Sequence, residues 1–346
     1  MTSFRSILAR RASFAVLSTI VSSSLLAQAG AVPAGKASLQ TELEALAQRA
    51  KPGVFGIAVV DLASGERWGV NADRAFPMMS DFKAPVSAAV LARIDAGTLK
   101  MDQTVVLHRG DVVDGSAVPS VGDRLEEATQ HGGEMTVTVG ELMTAAVSQS
   151  DNTAVDALIR LLGGPEEVTR FLHERGIAET HIGSTEGGIS RVFENLHGAA
   201  EPPKGETAAQ EDQRRRGGYA AYMAAPPNHT TPNAAALFLT RLSKGELLSK
   251  SSTEYLLALM AAQTIPRRMR EGVPANVRFA DKTGTSTTVD GMVAAYNDTG
   301  VMTWPDGHTV IVTAYLSGSN AAKADRDALF AELARETAAA LRRAGE

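Results

Sequence analysis

Apolar residues recur along this chain with two different periods. Leu39, Leu43, Leu46 and Ala47 stand at helical spacing and predict a helix over 38–50. Residues 54–62 form a near-continuous apolar run, the pattern of a buried strand, and Gly65-Glu66 turns the chain into a second short strand at 67–70. From Ser80 the pattern becomes helical and stays so for more than a hundred residues. One helix is predicted over 80–96, stopping at Gly97. Another opens at Thr138-x-x-Glu141, a capping box whose reciprocal hydrogen bonds satisfy the first free N–H groups. A third covers 153–162 and ends at Gly163-Gly164. Pro165 opens a fourth, which closes at Gly176. Helices resume at 232–243 and 250–262, strands follow at 276–282, 291–302 and 308–317, and 322–343 is a last amphipathic helix. Strands near both ends of a helical block predict an α/β (α+β) fold. One antiparallel sheet of about five strands, drawn from both termini and flanked by helices, should lie beside an all-helical lobe. The α/β lobe takes about 36–78 and 265–346, the helical lobe about 79–264.

Two stretches fall outside this pattern. Residues 194–218 are charged, carry proline and glycine, and hold almost no large apolar group, so they are expected to be a mobile loop inserted in the helical lobe. The triplet Arg214-Arg215-Arg216 within it, flanked by acids, has the character of solvated charge. At the N-terminus, Arg5, Arg10 and Arg11 precede an apolar run over 14–26, and Ala27-Gln28-Ala29 supplies a small-x-small cleavage pattern. Residues 1–29 are therefore expected to be a signal peptide, with 30–346 as a single catalytic domain exported to the periplasm or secreted. The apolar run is too short to span a bilayer. The Arg10-Arg11 pair leaves the general and twin-arginine routes both open.

Composition removes several classes of function. The 346 residues carry 34 basic and 39 acidic side chains, a net charge of −5, which provides no footprint for nucleic acid. Cysteine is absent, which excludes disulfides, thiolate metal sites and a cysteine nucleophile. The seven histidines are scattered without metal-ligand spacing, so neither a metal nor a serine–histidine–aspartate mechanism is called for, and no cofactor is expected. A small-molecule partner and a monomeric state fit what remains.

Three short motifs carry chemistry. Ser80-Asp81-Phe82-Lys83 puts an ammonium and a hydroxyl on one helix face, and a buried lysine can activate a serine. Alone it is weak, since average composition gives about one such match by chance in a chain this long. Ser150-Asp151-Asn152 falls in the gap between two predicted helices, and Lys282-Thr283-Gly284 ends an apolar strand and runs into Thr285-Ser286. All three in this order and context form a specific signal. Pro85, close behind Lys83, strains an ideal first turn.

With these motifs the chain resembles the serine β-lactamases and penicillin-binding proteins. It is most similar to class A β-lactamases, through AVSQSDNTAVDALIRLLGGP at 146–165 and FADKTGTS at 279–286, and to their extended-spectrum subgroup with enlarged loops. The resemblance implies hydrolysis of the β-lactam amide of penicillins or cephalosporins, and hence antibiotic resistance, through an acyl-enzyme on Ser80. Lys83 or Glu186 would accept the Ser80 proton, Ser150 would relay a proton to the leaving nitrogen, and Lys282 would polarise that hydroxyl and attract the substrate carboxylate. The backbone N–H groups of Ser80 and Thr285 would form the oxyanion hole. Asn152, Thr283, Gly284 and Thr285 would hold the substrate.

The same resemblance places a deacylating glutamate about 34 residues beyond Asn152, which is Glu186, with Glu194 and Glu201 as alternatives. The usual Glu-x-x-Leu-Asn is absent there, and Ser190 stands where the family has an Asn that helps hold the hydrolytic water. Arg268, fourteen residues before Lys282, would meet the substrate carboxylate, with Arg267 and Arg270 as competitors. The subgroup's aromatic residue at the cleft mouth is replaced by Ala117. A D-alanyl-D-alanine peptidase, an esterase and a non-hydrolysing penicillin-binding sensor share most of these residues and remain open at this point.

Overall fold

In the computed structural model, residues 34–342 are described, apart from 117, 119, 131, 200 and 266. The expected signal peptide and Ala117 lie outside the described residues. Helix α1 (Ala34–Arg49) buries Leu39, Leu43 and Leu46, and β1 (Val54–Asp61) is buried almost throughout. Strands β2 (Arg67–Val70) and β3 (Phe76–Pro77) follow. The chain then makes a 3-10 turn, Met79–Phe82, before α2 (Lys83–Asp95) begins. An α-helix starting at Ser80 would require Pro85 to donate to the Asp81 carbonyl and would drive its ring into that carbonyl. Starting at Lys83 puts Pro85 in the first turn, where its missing N–H costs nothing.

The helical block continues through β4 (Thr104–Leu107), α3 (Val121–Thr129), β5 (Met135–Thr138), α4 (Val139–Ser148), α5 (Asn152–Leu162), α6 (Pro165–His173), β6 (His181–Ile182) and α7 (Glu186–Phe193). It is less purely helical than its periodicity predicts. Strands β4 and β5 pair antiparallel with Val105 opposite Val137, a β-branched pair that favours the pleated surface. The capping box at Thr138 and Glu141 and the Pro165 helix start are both present.

Residues 194–218 also differ from expectation. They run into α8 (Ala208–Ala224), capped by Thr207 and Gln210. Arg214 bonds Glu206 at 3.0 Å and also pairs with Glu194, closing the connection back onto α7. At Gly218 a Cβ would stand 2.0 Å from the Phe193 carbonyl oxygen, so only glycine allows the two helices to cross this closely. Buried Tyr222 packs on Phe193 with the rings tilted and their centroids 4.3 Å apart.

The remaining elements are β7 (Asn228–Thr230), α9 (Pro232–Ser243), α10 (Lys250–Ala261), β8 (Arg278–Thr285), β9 (Thr288–Val289), β10 (Met292–Thr303), β11 (Thr309–Ser319) and α11 (Lys323–Leu341). The main antiparallel sheet has the order β2-β1-β11-β10-β8, with β9 added to β10. Its strands come from both ends of the chain, as predicted. Phe55, Ile57 and Val59 pack with Leu43, Phe330 and Leu333 beneath α1 and α11. Fully burying each such side chain contributes about 1.5–3 kcal/mol. The opposite face meets α9, where the Thr313 hydroxyl donates to the Pro232 carbonyl at 2.9 Å. This sandwich holds β8 and the 79–82 turn rigidly side by side.

Candidate active site

At Gly284 a Cβ would lie 2.5 Å from the Met78 carbonyl oxygen and 3.2 Å from the Asp81 nitrogen. Glycine here lets the end of β8 press against the turn that carries Ser80. That turn enters through Met79 at φ 47°, a left-handed conformation that bulky residues adopt only when their surroundings impose it. Tyr222 of α8 supplies part of that constraint, its hydroxyl donating to Met79 Sδ at 2.9 Å. Opposite, the segment between α4 and α5 turns through Ser150 at φ 60°. Asp151 caps α5, accepting from Ala154 N at 2.6 Å.

These constraints bring together five of the expected side chains around Ser80: Lys83, Ser150, Asn152, Glu186 and Lys282. The Ser80 Oγ donates to Glu186 Oε1 at 3.0 Å. Lys83 Nζ lies 3.1 Å from the same oxygen and donates to Asn152 Oδ1 at 2.6 Å and the Ser150 carbonyl at 2.7 Å. Lys282 Nζ donates to Ser150 Oγ at 3.0 Å and to the Thr283 carbonyl at 2.9 Å. Lys83 and Lys282 are wholly buried, and Glu186 is 5% exposed. Burial, reinforced by repulsion from Lys83, pulls the Lys282 ammonium down to about 7. A hydroxyl with a carboxylate and an ammonium in reach can be deprotonated and can attack an electrophilic carbon.

Glu186 is the first residue of α7, where Thr185 caps the helix. It is fixed by a residue that the sequence reading passed over. Asp156, on α5, accepts the backbone N–H of Glu186 at 2.7 Å and of Gly187 at 2.9 Å. Its burial raises its own carboxyl to about 6. Asp81 was likewise missed, although it lies inside the Ser80–Lys83 motif. It is buried, accepts from Thr299 Oγ1 at 2.6 Å and from the Tyr315 hydroxyl, and is raised to about 6 by that burial.

Other expected residues take different places. Ser190 lies one turn after Glu186 on the same face of α7 and, unlike Glu186, is exposed. Glu194 is taken by Arg214, and Glu201 is exposed. Arg268 is 3% exposed, with its guanidinium held by the Gly284 carbonyl at 3.0 Å, the Asn297 carbonyl and Thr285 Oγ1, and stacked 3.7 Å above the Tyr296 ring. It reaches the site edge through Thr285 instead of presenting itself to a ligand. Arg270 is paired with buried Asp281, and Arg267 is exposed. Asn152 donates its Nδ2 to the Asp114 carbonyl at 2.6 Å, tying it to the 112–118 segment. A groove of about 870 Å³ beyond Gln149 and Ser120 is lined by none of these residues. The buried charges converge elsewhere, around Ser80.

No group of three or more metal-ligating side chains occurs among the described residues, and no described helix is long and apolar enough to cross a membrane.

Comparison with known proteins gives the arrangement a context. Residues 38–341 match the model of the beta-lactamase enzyme family. The chain is 30% identical over 285 residues to the extended-spectrum beta-lactamase PER-1 of Pseudomonas aeruginosa, covering 82% of this chain and 81% of that protein. It is 27% identical over 292 residues to beta-lactamase VEB-1 of the same organism, covering 84% and 86%. Among solved structures, the reconstructed last common ancestor of Gram-negative class A beta-lactamases superposes with a TM-score of 0.69 at 34% identity, covering 88% of this chain and 100% of that one.

Proposed function

The chain belongs to the beta-lactamase enzyme family, as a class A serine hydrolase, and from that premise we propose that it opens the β-lactam amide through an acyl-enzyme on Ser80. The observation that carries this reading is the Ser80 hydroxyl donating to Glu186 while Lys83 holds the same carboxylate oxygen. Ser80 Oγ attacks the amide carbonyl, and its proton passes to Glu186 or Lys83. The backbone N–H groups of Ser80 and Thr285 receive the oxyanion. As the C–N bond breaks, Ser150 gives its proton to the departing nitrogen, with Lys282 holding that hydroxyl polarised. Glu186 then takes a proton from water, which attacks the ester and frees Ser80. The close approach at Gly284 supports this assignment, because it presses the Thr285 end of β8 against the nucleophile's turn.

The substrate carboxylate is met by Lys282 and by Thr283 and Thr285, with Arg268 behind Thr285. The side-chain amide is met by Asn152. The protein acts as an exported monomer, and its hydrolysis of penicillins or cephalosporins confers resistance on its host.

The test is hydrolysis of a chromogenic cephalosporin by purified protein, coupled to intact-mass measurement after brief reaction. Turnover with a transient adduct that Ser80→Ala abolishes is expected. An undiminished adduct on the Ser80→Ala variant removes the nucleophile assignment. A wild type that stalls after one turnover replaces hydrolysis with a penicillin-binding or sensor role.

A further inference from the structure

Asp81 takes part in none of these steps, yet it is the residue next to the nucleophile and is 4% exposed. Both its carboxyl oxygens are engaged by neutral donors from the centre of the sheet, Thr299 on β10 and Tyr315 on β11. Thr299 stands directly opposite Lys282 in the β8–β10 register, so the Asp81 carboxyl lies on the sheet face that carries the Lys282 side chain. We propose that Asp81 is a positioning residue that acts through Lys282, its carboxylate serving as the counter-charge that keeps that ammonium protonated while the enzyme works.

The other charges around Lys282 leave this task to Asp81. Lys83, from α2, repels it. Glu186, from α7, is shared with Lys83 at 3.1 Å. Asp281, on the same strand as Lys282, is paired with Arg270, and Asp298 beyond it faces Arg268 and Arg270. Among the described residues Asp81 has no cation within ion-pair distance; Thr299 and Tyr315 hold it without neutralising it. On its other side lies a cavity of about 20 Å³ lined by the hydroxyl residues Thr180, Thr230 and Thr299 and by no other charged side chain. In such low-dielectric surroundings an uncompensated carboxylate acts on the nearest ammonium with little screening.

The proposal rests on Lys282 being needed as an ammonium, and its test separates the two ideas. Profiles of kcat/KM against pH are measured for wild type, Asp81→Asn, Asp81→Thr and Tyr315→Phe with a carboxylate-bearing cephalosporin. Both Asp81 variants remove the charge, so the alkaline limb should move down by about one pH unit. Tyr315→Phe removes a hydrogen bond but keeps the charge, and its limb should stay in place. A limb that neither Asp81 variant moves, or that Tyr315→Phe moves equally, overturns the role of Asp81 and leaves that of Lys282 standing. A wild type with no alkaline limb removes the role of Lys282, and the proposal with it. Should the Asp81 variants not fold, the wild-type ¹³Cε resonance of Lys282 decides: a second, smaller step is expected where Asp81 ionises, and a single-step titration overturns the proposal.

Discussion

The carboxylate of Asp156 accepts the backbone N–H of Glu186, so one acid holds the main chain of another. The second oxygen takes Gly187 N, and together they fill two of the free donors at the start of α7. Asp156→Ala should leave those N–H groups without partners and loosen the base. A loss of about 1–3 kcal/mol in stability is expected. Deacylation should slow more than acylation, since only the water-activating step depends on Glu186 alone. Stopped-flow separation of burst from steady state checks this; equal slowing of both steps speaks against it.

Glu186→Gln should uncouple the two half-reactions. An amide of similar size cannot take a proton from water, and losing a general base slows its step by about 10²–10⁴-fold. Lys83 remains within reach of Ser80's surroundings and offers acylation another base. The variant should burst with stoichiometric product and then accumulate as an acyl-enzyme visible by mass spectrometry. Steady turnover at the wild-type rate would exclude Glu186.

Lys282 should set an alkaline limit to activity. Its pKa lies near 7, not 10.5, so the ammonium that faces Ser150 is lost progressively as pH rises through that value. In wild type, kcat/KM should therefore fall above about pH 7. Lys282→Arg, slower overall, should lose this limb, because a guanidinium stays charged. The same shift affects stability with the opposite slope. Between about 7 and 10.5 the unfolded chain holds the proton that the folded one has released, so this group adds stability as pH rises. Activity profiles and thermal melts across this range test both signs.

Arg214→Ala should release the connection between α7 and α8. The side chain is largely buried between Glu194 and Glu206, and its removal leaves both carboxylates facing each other. A cost of about 1–2 kcal/mol is expected for so partly exposed a network. Hydrogen exchange should quicken over 194–224 first, while the main sheet stays protected. Uniform loss of protection throughout the chain would argue against a local role.

What was legible in the sequence was what is local in it. Ser80 and Lys83 are three residues apart on one turn, and Lys282 to Thr285 are contiguous on β8, so neighbours along the chain are neighbours in the site. The sheet strands were legible where they carry near-continuous apolar runs, as β1 and β11 do. Asp81 and Asp156 were not, because their partners Tyr315 and Glu186 lie 234 and 30 residues away and only folding brings them together. Helix α8 escaped for a different reason. It buries little beyond Gly218 and Tyr222, and owes its place to caps, ion pairs and one close crossing that no hydrophobic period reveals. Spacing singles out Arg268, but nothing local announces that Tyr296 and Thr285 enclose its guanidinium.

The charges around Ser80 and Ser150 also bear on how such an enzyme can change. Lys83 and Lys282 against Glu186 and Asp81 sum to zero in a region almost without solvent access. Replacing any one by a neutral residue strands an opposite charge, and for the paired Lys83 and Glu186 such a break typically costs about 3–5 kcal/mol. That is a large part of the 5–15 kcal/mol by which most proteins stay folded. A lineage adapting to new substrates thus has little freedom at these four positions. Its accessible variation lies where side chains already meet water, as along 112–116 and 287–291, so the catalytic centre can stay fixed while its margins diverge.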